Sequence, residues 1–267
     1  MTAAVSPRFV HGGRTAGMSK EAPVVTCRSV IHMLAVLAAL AALPLAPAAG
    51  RAQGSGLDAD WHGIFGPCAG DCAVHVYGGR QTTTSPGMAF GFADVTQGDY
   101  GFVLPTPVWA YDWENSGIVG FAFSREFASL AYNGTDLLGL ESEVGVAKRF
   151  GDQTEAEYWA ALYLRWKWFP WNDVVKTSFA ISTGLNYASG ISDYELRVSG
   201  NGEGSQLMHF FAPEITLALP DQPDREVVFR MHHRSGIQDD EGLPGLAIFN
   251  YADTGATFAT LGVRYKF

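Results

Sequence analysis

The chain has 267 residues, 47% apolar and 13% aromatic, with 31 glycines and a formal charge of −9. That length suffices for one domain with a sizeable core, or for one barrel. The acidic balance, with no basic run, no Gly-rich phosphate loop and no dinucleotide-binding pattern, argues against nucleic-acid and nucleotide partners.

Residues 1–17 are polar and unpatterned, and Met18 opens a better export signal. Lys20 and Arg28 precede an apolar run from Met33 to Leu45, and small residues follow through Ala52. This is the order of a secretory signal peptide, with cleavage after Ala48 or Ala52. The run is short of the roughly 20 residues of a spanning helix, and Pro44 and Pro47 close it. We therefore expect residues 1–52 to be an N-terminal extension and cleaved signal peptide, and residues 53–267 to form one barrel. Cys27 would leave with the leader. Cys68 and Cys72 remain, and a pair this close in an exported chain suggests a disulfide; two thiols without a second ligand pair make a poor zinc site.

From Ala73 the chain alternates apolar and polar residues in strand-length segments: 73–84, 116–127, 137–150, 155–168, 175–188, 207–220, 225–236 and 256–267. Connections 85–115, 189–206 and 237–255 are long, whereas 128–136, 169–174 and 221–224 are short; the Gly-Asp hairpin at 151–154 is the exception. Long loops on one side and short turns on the other, with about eight strands, predict an all-β fold: a closed antiparallel transmembrane β-barrel with Phe267 at the periplasmic end. In 155–168, Tyr158, Leu162, Leu164 and Trp166 oppose Glu157, Tyr163, Arg165 and Lys167, so the charged set faces inward. Glu141 and Glu143 invite a reading as catalytic carboxylates, but inward carboxylates meeting Arg165, Lys167, Arg230 or Arg264 make the polar filling of a narrow barrel. Trp166, Trp168 and Trp171 read as an interfacial belt. In the connection 85–115, Tyr100, Phe102, Trp109, Tyr111 and Trp113 read equally as folding over the rim to grip a substrate or as packing on themselves; Tyr194, Arg197 and Asn201 in a later long loop are open in the same way, and His209 and Pro213 in the sixth segment suggest no role.

On the last strand Phe267, Tyr265, Val263, Leu261 and Ala259 share the greasy face. On the strand before it, Val227, Phe229 and Met231 share a face with His233 and Ser235, while Arg230, His232 and Arg234 share the other. Residues two apart on a strand have Cα atoms about 6.6 Å apart with parallel side chains, which puts a base beside a latent nucleophile on the lipid side. A one-residue bulge would exchange His232 and His233.

The closing GVRYKF looks like the C-terminal signature of bacterial outer-membrane barrels, which the barrel assembly machinery reads. His233-Arg234-Ser235 resembles the His-x-Ser motif of the outer-membrane lipid A 3-O-deacylases of the PagL type, members of the acyloxyacyl hydrolase group. The resemblance implies a small barrel whose His and Ser face the outer leaflet near the extracellular rim. It implies His233 as general base, Ser235 as nucleophile and the Gly236 backbone N–H in the oxyanion hole. The substrate would be lipid A of lipopolysaccharide, with no cofactor and no metal. This chain departs from the family twice. Gly236 stands where the family has Asn, and Thr257 stands where the family has the glutamate that orients the histidine. Asp253, or one of Asp239, Asp240 and Glu241, could substitute from the loop, and Asp253 is the candidate taken. The expected function is an ester hydrolase of lipid A. A non-catalytic barrel with a structural or surface-interaction role is the alternative, and a solute porin is disfavoured because about eight strands leave room only for side chains.

Overall fold

A computed structural model describes residues 56–92, 103–236 and 247–267. The expected leader, the acidic trio Asp239, Asp240 and Glu241, and the loop aromatics Tyr100 and Phe102 lie outside the described residues. Ten strands are present among them: β1 (Leu57–Trp61), β2 (Cys72–Thr82), β3 (Trp113–Tyr132), β4 (Thr135–Gly151), β5 (Ala156–Trp166), β6 (Lys176–Ala188), β7 (Leu207–Phe211), β8 (Glu214–Leu219), β9 (Gln222–Ser235) and β10 (Thr257–Lys266). Two short helices, α1 (Pro86–Phe90) and α2 (Asp193–Val198), lie in the connections.

Every pairing is antiparallel, and β10 pairs with both β9 and β2, which closes the ring. β7 and β8 lie end to end between β6 and β9, so the ring has eight positions. The predicted single strand at 207–220 is divided because Pro213 has no N–H to give the ladder. Its carbonyl accepts from Met231 N at 3.0 Å, and Ala212 N turns to Ser182 Oγ at 2.7 Å. β3 and β4 are longer than the alternation alone suggested. Asn133 and Gly134, both at positive φ (49° and 77°), make the tight two-residue turn that joins them. β1 extends this hairpin past the barrel end, Leu57 to Trp61 pairing with Tyr132 to Ala128.

Inside and outside separate cleanly along each strand. Val76, Val119, Val144, Leu217, Val227 and Leu261 are exposed on the outer wall. Tyr158 and Tyr187, paired across β5 and β6, and Phe150 mark one end of this apolar band. Trp166, Trp168, Trp171, Tyr265 and Phe267 mark the other. Tyr158 and Trp166 are eight residues apart on β5, which is roughly 26 Å along the strand and about 20 Å along the axis at a tilt of about 40°. An apolar band of that height between aromatic girdles is the wall of a transmembrane barrel. No described helix is long and apolar enough to cross a membrane, so the strands do the crossing.

The interior is filled by paired charges. Glu141 accepts from Arg165 Nε at 2.6 Å and from Arg264 Nη2 at 3.0 Å. Arg230 is forked onto Glu143 (2.9 and 2.8 Å) and reaches Glu214 at 2.7 Å. Arg264 also holds Glu226 at 2.9 Å. Nearer the end away from Phe267, Arg149 meets Glu157 at 2.5 Å and Glu195 of α2 at 3.1 Å. α2 thus seals that mouth: Tyr194 joins the buried core and Glu195 is wholly buried. Glu141 and Glu143 are therefore structural partners of arginines, and the described interior is packed from its middle to the mouth that α2 covers. Toward the Phe267 end the filling gives way to a cavity of about 890 Å³ lined by Asp71, Glu126, Lys167, Lys176, Glu226 and Lys266, among others.

Removing one partner of a buried pair strands the others, at a cost of about 3–5 kcal/mol. Arg230→Ala, which leaves Glu143 without a guanidinium and Glu214 with Arg165 alone, is expected to lose that much stability in urea unfolding of the micelle-held barrel. Arg225→Ala, at an exposed position near the start of β9, should stay within about 0.5 kcal/mol of the parent chain.

Candidate active site

The pairing of β9 with β10 runs without a bulge from Arg225 to His233, so the alternation of faces is unbroken. His232 points inward, where it shares hydrogen bonds with Tyr77 Oη at 2.8 Å and Glu157 Oε2 at 3.0 Å. Arg234 also points inward, its Nη2 donating to the carbonyls of Ser205 and Gln206 at 2.7 and 2.9 Å. These two anchors flank His233 and leave it, with Ser235, on the membrane-facing side. Both are half-buried there, at the barrel end away from Phe267.

On that face His233 is paired with Thr257 of β10 and Phe211 of β7. His233 Nδ1 and Thr257 Oγ1 are 2.7 Å apart. The position that lacks a carboxylate in the sequence is thus the position that contacts the imidazole. When Nδ1 carries the proton and donates to Thr257, Nε2 is left as a lone-pair acceptor, the form a general base requires. A threonine hydroxyl holds the ring orientation but supplies no negative charge to an imidazolium.

Asp253 does not take up that role. Its Oδ1 accepts from Ser199 Oγ at 2.8 Å and its Oδ2 from Gly200 N at 3.0 Å. Together with Asn201 Nδ2 donating to Tyr251 O at 2.6 Å, it joins the two long connections. The expectation that Asp253 orients His233 is therefore corrected: its oxygens are engaged by the neighbouring loop.

His209, which the alternation left without a role, lies directly across from Ser235 in the β7–β9 pairing. Facing residues in an antiparallel pair bring their Cβ atoms to about 4.5–5.5 Å, closer than two-apart neighbours on one strand. His209 Nε2 is fixed to Thr183 Oγ1 at 2.9 Å. Ser235 is therefore flanked by two imidazoles, each tethered by a threonine. Nothing in the sequence could align His209 with Ser235, because their register follows from where Pro213 interrupts the sixth barrel strand.

Gly236 follows Ser235 at a point of very close approach. A Cβ added there would fall 1.6 Å from the Ala252 carbonyl oxygen. The loop returning to β10 thus requires glycine, which accounts for the absence of the larger residue. Cys68 and Cys72 are bridged at the opposite end, beside the C-terminus, where Phe267 N donates to Cys72 O at 2.9 Å. Asp71, the third potential metal ligand of that group, is held by Arg125 Nε at 2.8 Å.

No family model matches this chain, and no curated protein matches it. Among solved structures it is similar to Neisserial surface protein A, at 12% identity and a TM-score of 0.41, over 76% of this chain and all of that one. It is also similar to a protein from the de novo design of transmembrane β-barrels, at 10% identity and a TM-score of 0.33, with the same shares covered. Neither likeness bears on activity, and the barrel assignment rests on the strand pairing.

Forcing a side chain into the Gly236 position tests the close approach. Gly236→Asn is expected to displace the chain at Ala252 and cost about 1–3 kcal/mol, read as a lower urea midpoint and faster proteolysis of the loop that precedes β10.

Proposed function

We propose that this chain is an outer-membrane esterase of the lipid A 3-O-deacylase type, exported by cleavage of a leader within residues 1–52. The observation that carries the reading is the co-facing of His233 and Ser235 on the membrane side of the wall, with the imidazole oriented by Thr257. Ser235 Oγ attacks the carbonyl carbon of an ester-linked acyl chain while an imidazole nitrogen takes the hydroxyl proton. Collapse of the tetrahedral adduct breaks the bond to the sugar oxygen, which leaves with that proton. Water, deprotonated by the same imidazole, then cleaves the acyl-serine and releases the fatty acid. The Gly236 N–H is the proposed oxyanion donor, and the chemistry needs no metal or cofactor. Lipid A is the proposed partner, with the barrel assembly machinery as a transient one acting on the last strand.

The neutral Thr257 supports a second reading, a non-catalytic barrel of the same architecture. It also makes the enzyme reading specific: turnover is slow because the imidazolium lacks a counter-charge, and loss of such a carboxylate from a triad costs up to about 10⁴-fold.

Mass spectrometry of lipid A from a Gram-negative host expressing the chain is expected to show loss of one ester-linked acyl chain. Ser235→Ala should abolish the loss with the barrel still assembled. Thr257→Glu should raise the rate about tenfold or more. His233→Ala and His209→Ala identify the base, since only one of them should match the serine variant. An unchanged acyl pattern for the parent chain and for Thr257→Glu would leave the non-catalytic reading.

A further inference from the structure

The described parts of the first long connection, residues 83–92 and 103–112, lie against the outside of the wall. Ala89 of α1 and Tyr111 are buried against Met231 of β9 and Ala259 of β10, with Phe90, Trp113 and Phe229 packed around them. The Phe90 ring is 5.6 Å from both Phe179 and Phe229, and Phe92 is 5.7 Å from Phe179. Phe179, Phe229, Met231 and Ala259 all belong to the membrane-facing set. Phe229 lies in the middle of β9, so the segment covers the wall at half its height, where acyl chains would otherwise touch it.

Two independent features suit this segment to hydrocarbon. First, Thr83 to Phe92 and Val103 to Tyr111 contain no Asp, Glu, Lys, Arg or His. Second, its backbone donors are largely satisfied from within. Ala89 N bonds Ser85 O, Phe92 N bonds Gly87 O, Val103 N bonds Gly91 O, Thr106 N bonds Met88 O and Ala110 N bonds Pro107 O, all at 2.8–3.0 Å. Ser85 caps α1 through Met88 N at 3.2 Å, and Pro86, Pro105 and Pro107 have no N–H at all. In lipid an unpaired N–H costs several kcal/mol, so irregular backbone is tolerated there only when paired. The outer side of the segment is apolar as well: Leu104 is 92% exposed and Trp109 84%.

We propose that residues 83–92 and 103–111 form a flap immersed in the bilayer beside the barrel, its inner side on β9 and β10 and its outer side, at Leu104 and Trp109, against lipid acyl chains. Met231–Ala259 and His233–Thr257 are successive pairs on one face, so the flap is also the side wall of the candidate site. This reading rests on the barrel and not on the esterase assignment.

The test is a nitroxide label at Leu104→Cys in a Cys27→Ser background, with the protein in phosphatidylcholine vesicles. Dissolved oxygen is expected to relax the label more strongly than a water-soluble nickel chelate does, as at Val263→Cys on the bare wall and opposite to Asp224→Cys at the water-exposed start of β9. Brominated phosphatidylcholine should quench the parent's tryptophan emission, and Trp109→Phe should remove part of the quenched fraction. A Leu104 label that responds to nickel as Asp224 does, with quenching unchanged by Trp109→Phe, would overturn the flap.

Discussion

The structure depends on the requirement that guanidinium and carboxylate groups buried in the lumen meet one another. Arg149, Arg165, Arg230, Arg234 and Arg264 project into the lumen, and Glu141, Glu143, Glu157, Glu195, Glu214 and Glu226 answer them. Sliding any of these strands by one residue would turn its charges into lipid and its apolar set into the charged interior. On β9 the consequence is local and chemical. Arg230, His232 and Arg234 are each bonded inside, so His233 and Ser235 have no choice but the membrane side. The residue between the imidazole and the hydroxyl is thus the one that aims them.

The chemistry on that face is built from neutral groups. His233 and His209 are each tethered by a threonine, and Ser235 lies between them. A membrane-facing carboxylate would need desolvation as well as a partner, whereas a hydroxyl orients an imidazole at little cost. In the proposed esterase, a hydroxyl in place of the carboxylate would trade rate for ease of burial. The same economy explains Gly236, where the returning loop presses on the chain so closely that no Cβ fits.

Much of this was legible in the alternation because a barrel strand has two faces of opposite chemistry, and a period of two displays both. The inward set on β5 and the outward set on β10 stand in the structure as the alternation gives them. What was hidden depended on register or on loops. The Asn133-Gly134 turn carries a two-residue hairpin signal, which shows that the flanking strands reach closer to it than hydrophobicity alone indicated. Pro213 divides a strand in a way that composition suggests but does not place. β1 is five residues with an exposed pattern and pairs only with the far end of β3, so nothing local announces it. Asp253 looked available because a loop carboxylate has no visible partner in sequence; Ser199 and Gly200 lie more than fifty residues earlier. The aromatics of the first long connection read equally well as folding over the rim or packing on themselves, and the seat of Phe90 and Tyr111 on the outer wall depends on contacts with β6, β9 and β10 that no local pattern displays.

The ion pairs of the interior also govern the order in which the barrel can come together. Glu143 is 87 residues from Arg230, and Glu141 is 123 from Arg264, so the β4–β5 hairpin leaves Glu143 without an arginine. Neutralisation arrives only when the C-terminal strands reach the first half of the chain. Contacts so distant in sequence pay their chain entropy before they are rewarded. Insertion and closure are thereby coupled into one cooperative event, in which a half-built sheet carries uncompensated charge that the hydrocarbon rejects until the last staves are in place.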